Sequence, residues 1–484
     1  MSPDLAELFR ALQPEAALVV GALVVLALDL SVFRSRSAAT RLNSAVVLGA
    51  LACAVGVYFS CTTGPLGAVF GDVLVLDPLA VATRVGVLVL AIFALGVGTG
   101  ARPTRNPAEY VAVVLFATTG LVVMAAAQQL LLVFVALELA SLSLYILTGF
   151  DKARPESAEA ALKYFLFGGM SAAFLLFGFS LLYGLSGSIS LPVIARALAI
   201  QGPSPLLAVA IVMVVVGFGF KTAAAPFHLW APDAYQGAPA PSAAFIASAS
   251  KLAGLVLFLR LFWSGGVAGE ALAGGLWMPV VAVLSAASLF VGNLVALAQS
   301  NVRRLLAYSA IAHAGVFLLG VLVAQPPVGA GPIYFYAATY GIATIGAFGV
   351  IGIVDRAGGC ERITDLAGLR ARSPLLTAVL LVFVLSLAGI PPLAGFFGKF
   401  YVFAAALQLN GLASVAGWLA IAAILFSAVA LYYYLLILKQ AMVAPPPASA
   451  PKIRISSLSA TALLAAAIAI LVLGVDPALV LDYF

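Results

Sequence analysis

Long apolar stretches recur along the whole chain, and the short segments between them hold most of the charged residues. A helix needs about 20 apolar residues to cross the hydrocarbon core of a bilayer. Windows of that length predict an all-α polytopic membrane protein with about 14 transmembrane helices. The predicted spans are, in order, 14–33, 43–63, 76–99, 109–127, 129–148, 159–183, 206–227, 242–263, 277–298, 303–323, 333–354, 373–407, 411–438 and 457–476.

Prolines interrupt the seventh and twelfth spans, each close to a lysine. Lys221 precedes Pro226, and Lys399 follows Pro391 and Pro392. Spans 4–8 and 9–13 have five helices each, so a second copy of five would be inverted. Broken helices at matching places of inverted repeats are typical of ion-translocating membrane proteins. The predicted domains are an N-terminal three-helix segment (1–108), a first five-helix repeat (109–263), a second inverted repeat (277–438) and a C-terminal helix (439–484).

The composition agrees with this pattern. Of 484 residues, 64% are hydrophobic and 9% are charged, whereas soluble domains carry about 25% charged residues. Segments of alternating polarity, which a β-barrel requires, are not visible. Cys53, Cys61 and Cys360 form no CxxC pair, and the chain has two histidines. We therefore expect no metal site, Fe–S cluster, haem or other bound cofactor in this chain.

The net charge of +6 does not indicate nucleic-acid binding, because the basic residues lie mostly in short loops. If the N-terminus lies outside, 16 Lys and Arg residues lie in inner loops and three (Arg10, Arg196 and Arg260) on the outer side. Positive charge is enriched in cytoplasmic loops. This pattern predicts that both termini lie on the outer side.

Apart from charges near the span ends, such as Asp29, Asp77 and Glu159, six charged residues fall inside the predicted spans, and these are Arg84, Glu138, Lys163, Lys221, Lys251 and Lys399. A charge near the bilayer centre costs about 2.5–3.5 kcal/mol. Glu138 and Lys251 each lie about nine residues into a span, roughly 14 Å deep, which is near the midplane. We therefore expect the charges to meet inside the bundle.

Some of the polar residues also have a structural interpretation. Lys163 is also consistent with an interfacial lysine whose charged end reaches the headgroups. We expect Arg84 to pair with a lipid headgroup or a neighbouring subunit. His313 is consistent with helix packing as well as with a polar path. His228 is consistent with a hydrogen bond to the backbone groups that Pro226 leaves unpaired.

Four motifs in order resemble one family. They are KTAAAPFHLWAPDAYQGAP (221–239), SASK (248–251), NVRRLLAYSAIAHAG (301–315) and GIPPLAGFFGKFYVF (389–403). They resemble the antiporter-like membrane subunits of respiratory complex I (NADH–quinone oxidoreductase), which are related to Mrp-type cation/proton antiporters. Segments 159–184 and 398–403 resemble the subunit N branch in particular. The chain lacks the C-terminal arm expected of subunit L, and resemblance to subunit M would imply a glutamate at 399.

The resemblance implies a proton path. It implies that Glu138 pairs with Lys221, that Lys251 is the central proton carrier and that Lys399 is the terminal carrier. Lys163, His313 and His228 would support that path. The resemblance also implies the inner membrane of a bacterium, with both termini periplasmic. The partners would be the other membrane subunits of complex I and its peripheral arm, which would hold NADH, FMN, the Fe–S clusters and the quinone.

Two other functions remain open from the sequence. A subunit of an Mrp-type Na⁺/H⁺ antiporter would use the same charged residues without redox chemistry. A non-conducting structural subunit of a membrane complex would not need them to change charge.

Overall fold

The computed structural model describes residues 3–102, 104–263, 276–325, 328–447 and 452–484. The N-terminal elements are α1 (Pro3–Ala11), α2 (Gln13–Leu28, continued by a π-helical turn at Asp29–Phe33), α3 (Ala38–Thr63), β1 (Gly67–Val69), β2 (Leu74–Leu76) and α4 (Pro78–Ala101). The next group is α5 (Pro107–Ala126), α6 (Leu130–Thr148), α7 (Pro155–Ser186), α8 (Leu191–Gln201), α9 (Pro205–Thr222), α10 (Trp230–Gly237), α11 (Ala240–Ala247) and α12 (Ala249–Phe262).

The second half of the chain also consists mainly of long helices. It contains α13 (Met278–Leu297), α14 (Val302–Val323), α15 (Gly331–Gly358), a 3₁₀ turn at Ile363–Leu366, α16 (Leu369–Arg372), α17 (Pro374–Ala388), α18 (Ala394–Asn410), a 3₁₀ turn at Gly411–Ala413 and α19 (Val415–Met442). The chain then forms α20 (Ser457–Val475) and α21 (Ala478–Leu481).

The predicted all-α polytopic fold is confirmed. Within the described ranges, thirteen helical segments are long and apolar enough to cross a membrane. The twelfth predicted span is two shorter apolar helices, α17 and α18, on either side of Gly389–Leu393. The inverted relation between the two five-helix groups stays a prediction.

Prolines and short polar residues set the helix starts. Many of the long helices have proline in their first turn, where its missing N–H is not needed. Asp77 accepts a hydrogen bond from Ala80 N (2.7 Å) and so caps α4. Ser204 and Ser414 cap α9 and α19 in the same way. Such caps satisfy N–H groups that an apolar environment would leave unpaired.

Successive loops lie alternately at the two ends of the helix bundle, and loops at the same end contact each other. At one end, here called the outer end after its predicted orientation, Leu74 pairs with Ala127 and Gln129 with Ser190. At the other, the inner end, Asn301 pairs with Arg362. The order of these loops along the chain matches the predicted alternation of outer and inner loops.

Helices α13 and α14 approach each other closely through small residues. A Cβ atom on Gly292 would lie 2.3 Å from Ala312 N, and one on Gly315 would lie 2.9 Å from Ser285 O. Ser285 Oγ also donates to Gly315 O (2.7 Å). Small residues that allow such contact are typical of membrane helix pairs.

The predicted break in the seventh span lies between α9 and α10. Ala223 ends α9 in a left-handed conformation. Trp230 Nε1 donates to Phe220 O (3.1 Å), and Ala225 N donates to Ser288 Oγ (2.9 Å). The backbone groups that the break frees are thus satisfied inside the protein, as a break at membrane depth requires.

The eighth span is also interrupted, which the hydrophobic pattern did not predict. Between α11 and α12, Ser248 has φ −115° and ψ −82°, away from helical values. Its hydroxyl donates to Ala244 O (2.6 Å). Serine bonding back to the preceding turn competes with the helix and bends it. The break precedes Lys251 by three residues.

Candidate functional site

Three buried lysines lie beside the three helix breaks. Lys221 is in the last turn of α9, Lys251 in the first turn of α12, and Lys399 near the start of α18. Their exposed fractions are 4%, 2% and 7%. The sequence predicted all three as site residues inside spans, and the structure buries each of them within the bundle.

The ammonium groups contact neutral oxygens. Lys251 Nζ donates to Ala310 O (2.7 Å), and Lys399 Nζ donates to Leu387 O (3.2 Å) and Ala388 O (3.1 Å). The last two carbonyls end α17, so the break in the twelfth span supplies the acceptors for Lys399. None of the three lysines forms a salt bridge with any described residue.

Glu138 and Lys221 face the same small cavity. Lys221 Nζ donates to Ser141 Oγ (3.3 Å), one turn along α6 from Glu138. Both residues line a cavity of about 10 Å³ together with Tyr145 and Ser171, about the space that one water molecule needs. Glu138 Oε1 is buried without a hydrogen-bond partner among the described residues. The structure thus brings the predicted pair together across a water-sized gap.

His313 occupies the middle of the second half, between two tyrosines. Its Nδ1 lies 2.5 Å from Tyr336 Oη and its Nε2 lies 3.2 Å from Tyr434 Oη. The His313 ring packs on Tyr340 at 4.7 Å between centroids. Lys251 Nζ lies 5.8 Å from the centre of the same Tyr340 ring. His313 is therefore a neighbour of the Lys251 region.

A second cavity joins His313 to Lys399. It also has a volume of about 10 Å³ and is lined by His313, Tyr336, Lys399, Asn293 and Tyr433, among others. These polar residues thus lie in the order Lys251, His313, Lys399. The tyrosines were not predicted, because tyrosine is common at packed and interfacial positions of membrane helices.

Lys163 lies apart from the buried lysines. It forms salt bridges with Glu159 (2.7 Å) and Asp233 (2.8 Å), and its side chain is 41% exposed. Asp233 also pairs with Arg304 (2.6 Å). An exposed lysine with carboxylate partners fits the interfacial interpretation of Lys163. The structure does not place Lys163 beside Lys221, Lys251 or Lys399.

Asp233 links the two halves of the chain at the inner end. It lies on α10, outside the membrane-spanning helices, between Lys163 of α7 and Arg304 of α14. Partial burial raises the pKa of Asp233, but hydrogen bonds from Lys163 and Arg304 outweigh it, so the pKa is lowered. Asp233 is therefore a carboxylate at neutral pH.

His228 follows the break after α9. Its ring lies 6.4 Å from that of Tyr308, and its Nδ1 is buried without a partner among the described residues. The structure places His228 at the break, as predicted, and shows no direct contact between it and a buried lysine.

The expectation for Arg84 is wrong. Arg84 is 1% exposed, and it pairs with Glu15 of α2 (2.6 Å) and with Ala11 O (3.1 Å). Its partner is thus in the same chain, rather than a headgroup or a neighbouring subunit. The acid was overlooked because it lies at the start of the first span, 69 residues before Arg84 in the sequence.

Arg260 is buried as well. It was predicted as an outer-side charge, but it is 1% exposed and pairs with Asp77 (2.9 Å) and with Ala125 O (3.0 Å). Asp77 thus caps α4 and also anchors α12, the helix that carries Lys251.

Comparison with known proteins identifies the family. A family model described as "NADH:quinone oxidoreductase/Mrp antiporter, TM" matches residues 127–429. The chain is 48% identical to NADH-quinone oxidoreductase subunit N 2 of Acidobacterium capsulatum, over 99% of this chain and 98% of that protein. It is 42% identical to subunit N of Desulforamulus reducens, over 77% of this chain and 76% of that protein.

Solved structures agree. A chain of respiratory complex I from Thermus thermophilus with bound Aureothin is 33% identical, with a TM-score of 0.78, over 97% of this chain and 98% of that chain. A chain of the Mrp complex from Dietzia sp. DQ12-45-1b shares the fold, with a TM-score of 0.82 at 22% identity, over 97% and 96% of the two chains. The chain therefore belongs to the antiporter-like family of membrane subunits shared by NADH–quinone oxidoreductase and Mrp antiporters, in its subunit N branch.

Proposed function

We propose that this chain carries protons across the membrane as a subunit of NADH–quinone oxidoreductase, coupled to quinone reduction in partner subunits. One observation carries the proposal. Lys221, Lys251 and Lys399 are buried in a membrane protein, each beside a broken helix and none in a salt bridge with a carboxylate of the described residues. A buried charge without a counter-charge is costly, and within membranes such residues mark ion pathways.

Lysine suits this role because its ammonium group can lose a proton when it is desolvated, which arginine does not do. The carbonyl and hydroxyl acceptors around the three lysines are neutral. Discharging a lysine therefore breaks no ion pair. The buried arginines Arg84 and Arg260, in contrast, have carboxylate partners.

Glu138 is the group that would control Lys221. With one water between them, a small movement of α6 would bring the carboxylate to the ammonium group or withdraw it. The negative charge of Glu138 would hold the proton on Lys221 when close and release it when distant. The freed proton would then pass towards Lys251 and, through the His313 region, to Lys399.

The energies require several such steps. Two unit charges about 8 Å apart at an effective dielectric near 20 interact by about 2 kcal/mol. Moving one proton against about 200 mV requires about 4.6 kcal/mol. A single charge step is therefore insufficient, whereas three coupled steps, about 6 kcal/mol together, suffice. A row of lysines meets this requirement and a single pair does not.

We propose that partners supply the energy. The redox chemistry (NADH, FMN, Fe–S clusters and quinone) would belong to other subunits, and the chain would assemble with the other membrane subunits and the peripheral arm in the bacterial inner membrane. The curated relatives, at 48% and 42% identity, are subunits N of NADH-quinone oxidoreductase. This likeness favours the redox-driven complex over an Mrp-type antiporter, with which the structural likeness shows the fold alone.

Lys251→Ala and Glu138→Ala test the proposal in the whole complex reconstituted into vesicles. We expect the complex to assemble and the number of protons transported per NADH oxidised to fall. Lys439→Ala, an exposed lysine in the last turn of α19, is the matched control and should leave that ratio unchanged. A normal ratio and a normal rate of NADH oxidation in both test variants would refute the proton path.

A further inference from the structure

A string of hydrogen-bonded side chains passes through His313. Ser309 and Tyr434 share a hydrogen bond, Tyr434 Oη lies 3.2 Å from His313 Nε2, and Tyr336 Oη lies 2.5 Å from His313 Nδ1. The four side chains come from α14, α19 and α15, and all are buried. Three helices thus converge on one imidazole.

The two ends of the string lie near Lys251 and Lys399. Ser309 is followed by Ala310, whose carbonyl accepts the hydrogen bond of Lys251 (2.7 Å). Tyr336, at the other end, lines the water-sized cavity that also contains Lys399. The string therefore connects the turn that Lys251 contacts to the cavity of Lys399.

We propose that Ser309, Tyr434 and Tyr336 are relay residues that pass a proton through His313 from the Lys251 side to the Lys399 cavity. The inference rests on the proposed function and adds residues to it.

The directions of the hydrogen bonds in the string depend on one another. A neutral imidazole has one N–H donor and one bare nitrogen acceptor. When Nδ1–H donates to Tyr336, Nε2 must accept from Tyr434, and Tyr434 then accepts from Ser309. The opposite tautomer reverses every bond in the string.

A proton that arrives at Ser309 Oγ displaces the serine proton to Tyr434. The tyrosine proton moves to His313 Nε2, the proton on Nδ1 moves to Tyr336, and the Tyr336 proton leaves into the cavity beside Lys399. One proton enters, one leaves, and no charge remains on the string. All bonds now point the other way, so the tautomer must revert before the next proton passes. The relay therefore transfers one proton at a time.

Tyr434→Phe keeps the ring and removes only the hydroxyl. In the reconstituted complex we expect proton transport by this chain to slow about tenfold or more, as for loss of a positioned proton-transfer group, and the protons per NADH to fall. The matched control is Tyr110→Phe, which breaks another buried tyrosine–serine bond, to Ser242 (3.2 Å), and neither residue lines the cavity of Lys221 or that of Lys399. It should leave the ratio unchanged.

Two variants of Ser309 distinguish a proton relay from a role in helix packing. Ser309→Ala should lower the ratio, and Ser309→Thr, which keeps a hydroxyl, should restore it. If Ser309→Ala and Tyr434→Phe both keep the normal ratio while Lys251→Ala lowers it, the relay is wrong and the proposed function stands. If Lys251→Ala also keeps the normal ratio, the proposed function itself fails. Should Tyr434→Phe not assemble, the Ser309 pair of variants decides.

Discussion

At the scale of single residues, the buried cations of this chain have two kinds of surroundings. Arg84 and Arg260 each face a carboxylate, Glu15 and Asp77 respectively. The buried lysines contact carbonyl and hydroxyl oxygens instead. Removing one member of a buried ion pair leaves the other charge without compensation. The arginine pairs should therefore matter for stability and the lysines for transport.

Glu15 and Arg84 allow that distinction to be measured. We expect Glu15→Ala to destabilise the protein by about 3–5 kcal/mol, because it leaves the Arg84 guanidinium buried and unpaired. Replacing both residues with apolar ones, Glu15→Leu with Arg84→Met, should cost much less than the single change. Thermal unfolding of the purified protein in detergent measures both. A double variant as unstable as Glu15→Ala would contradict this explanation.

The sequence predicted some of these residues and not others, for physical reasons. Lys221, Lys251, Lys399 and Glu138 were predicted because a charge within an apolar window is costly and hence conspicuous. Tyr434 carries no such signal. Side-chain pairing across the bundle cannot be inferred from single windows, so the acid that faces Arg84 was missed.

At the scale of helices, the close packing of α13 against α14 fixes the position of α14, which carries both Ser309 and His313. Gly292 faces the backbone of Ala312, the residue directly before His313, and the two backbones are almost in contact. A larger residue must push α14 away, because the obstacle is backbone rather than a flexible side chain. Such a shift would also disturb the contacts of His313 with the tyrosines of α15 and α19.

Gly292→Ala should therefore destabilise the protein by about 1–3 kcal/mol, as overpacking does. Gly169→Ala is the matched control, since a Cβ on Gly169 meets nothing within 4 Å. That variant should be neutral or more stable by up to about 1 kcal/mol, because alanine favours the helix. The midpoints of thermal unfolding compare the two. Equal midpoints for the two variants would show that the close approach has no energetic weight.

The boundaries of the long helices were predicted well because length and apolarity alone define a span. Shorter elements lack that signal. The outer-end helix α8 (Leu191–Gln201), the hairpin of β1 and β2, and the break at Ser248 were all missed. The last depends on a serine hydroxyl that bonds to its own helix, and serine is frequent in unbroken membrane helices as well.

At the scale of the whole molecule, the loops define two ends with different charge. The predicted inner loops hold 16 Lys and Arg residues, against three on the predicted outer side. The contacts of Leu74 with Ala127 and of Asn301 with Arg362 group these loops at opposite ends. From this difference the positive-inside rule predicts the direction of the molecule in the membrane.

Single cysteines test that direction. In a Cys61→Ser background, we expect Ala199→Cys at the outer end to react with an impermeant maleimide added to spheroplasts, and Ser35→Cys between α2 and α3 not to react. Both positions are exposed. Inside-out vesicles should reverse the result. Labelling of Ser35→Cys alone in spheroplasts would overturn the predicted orientation.

The pair of Glu15 and Arg84 also bears on how the protein is made. Glu15 enters the membrane with the first helix, whereas Arg84 lies on the third membrane-spanning helix, 69 residues later. Until that helix arrives, none of the described residues before it forms an ion pair with the carboxylate. The first helix should thus be poorly anchored in nascent chains that end before Arg84 and become fixed once the third has been inserted. The first three helices would then become stably inserted together, once Arg84 pairs with Glu15.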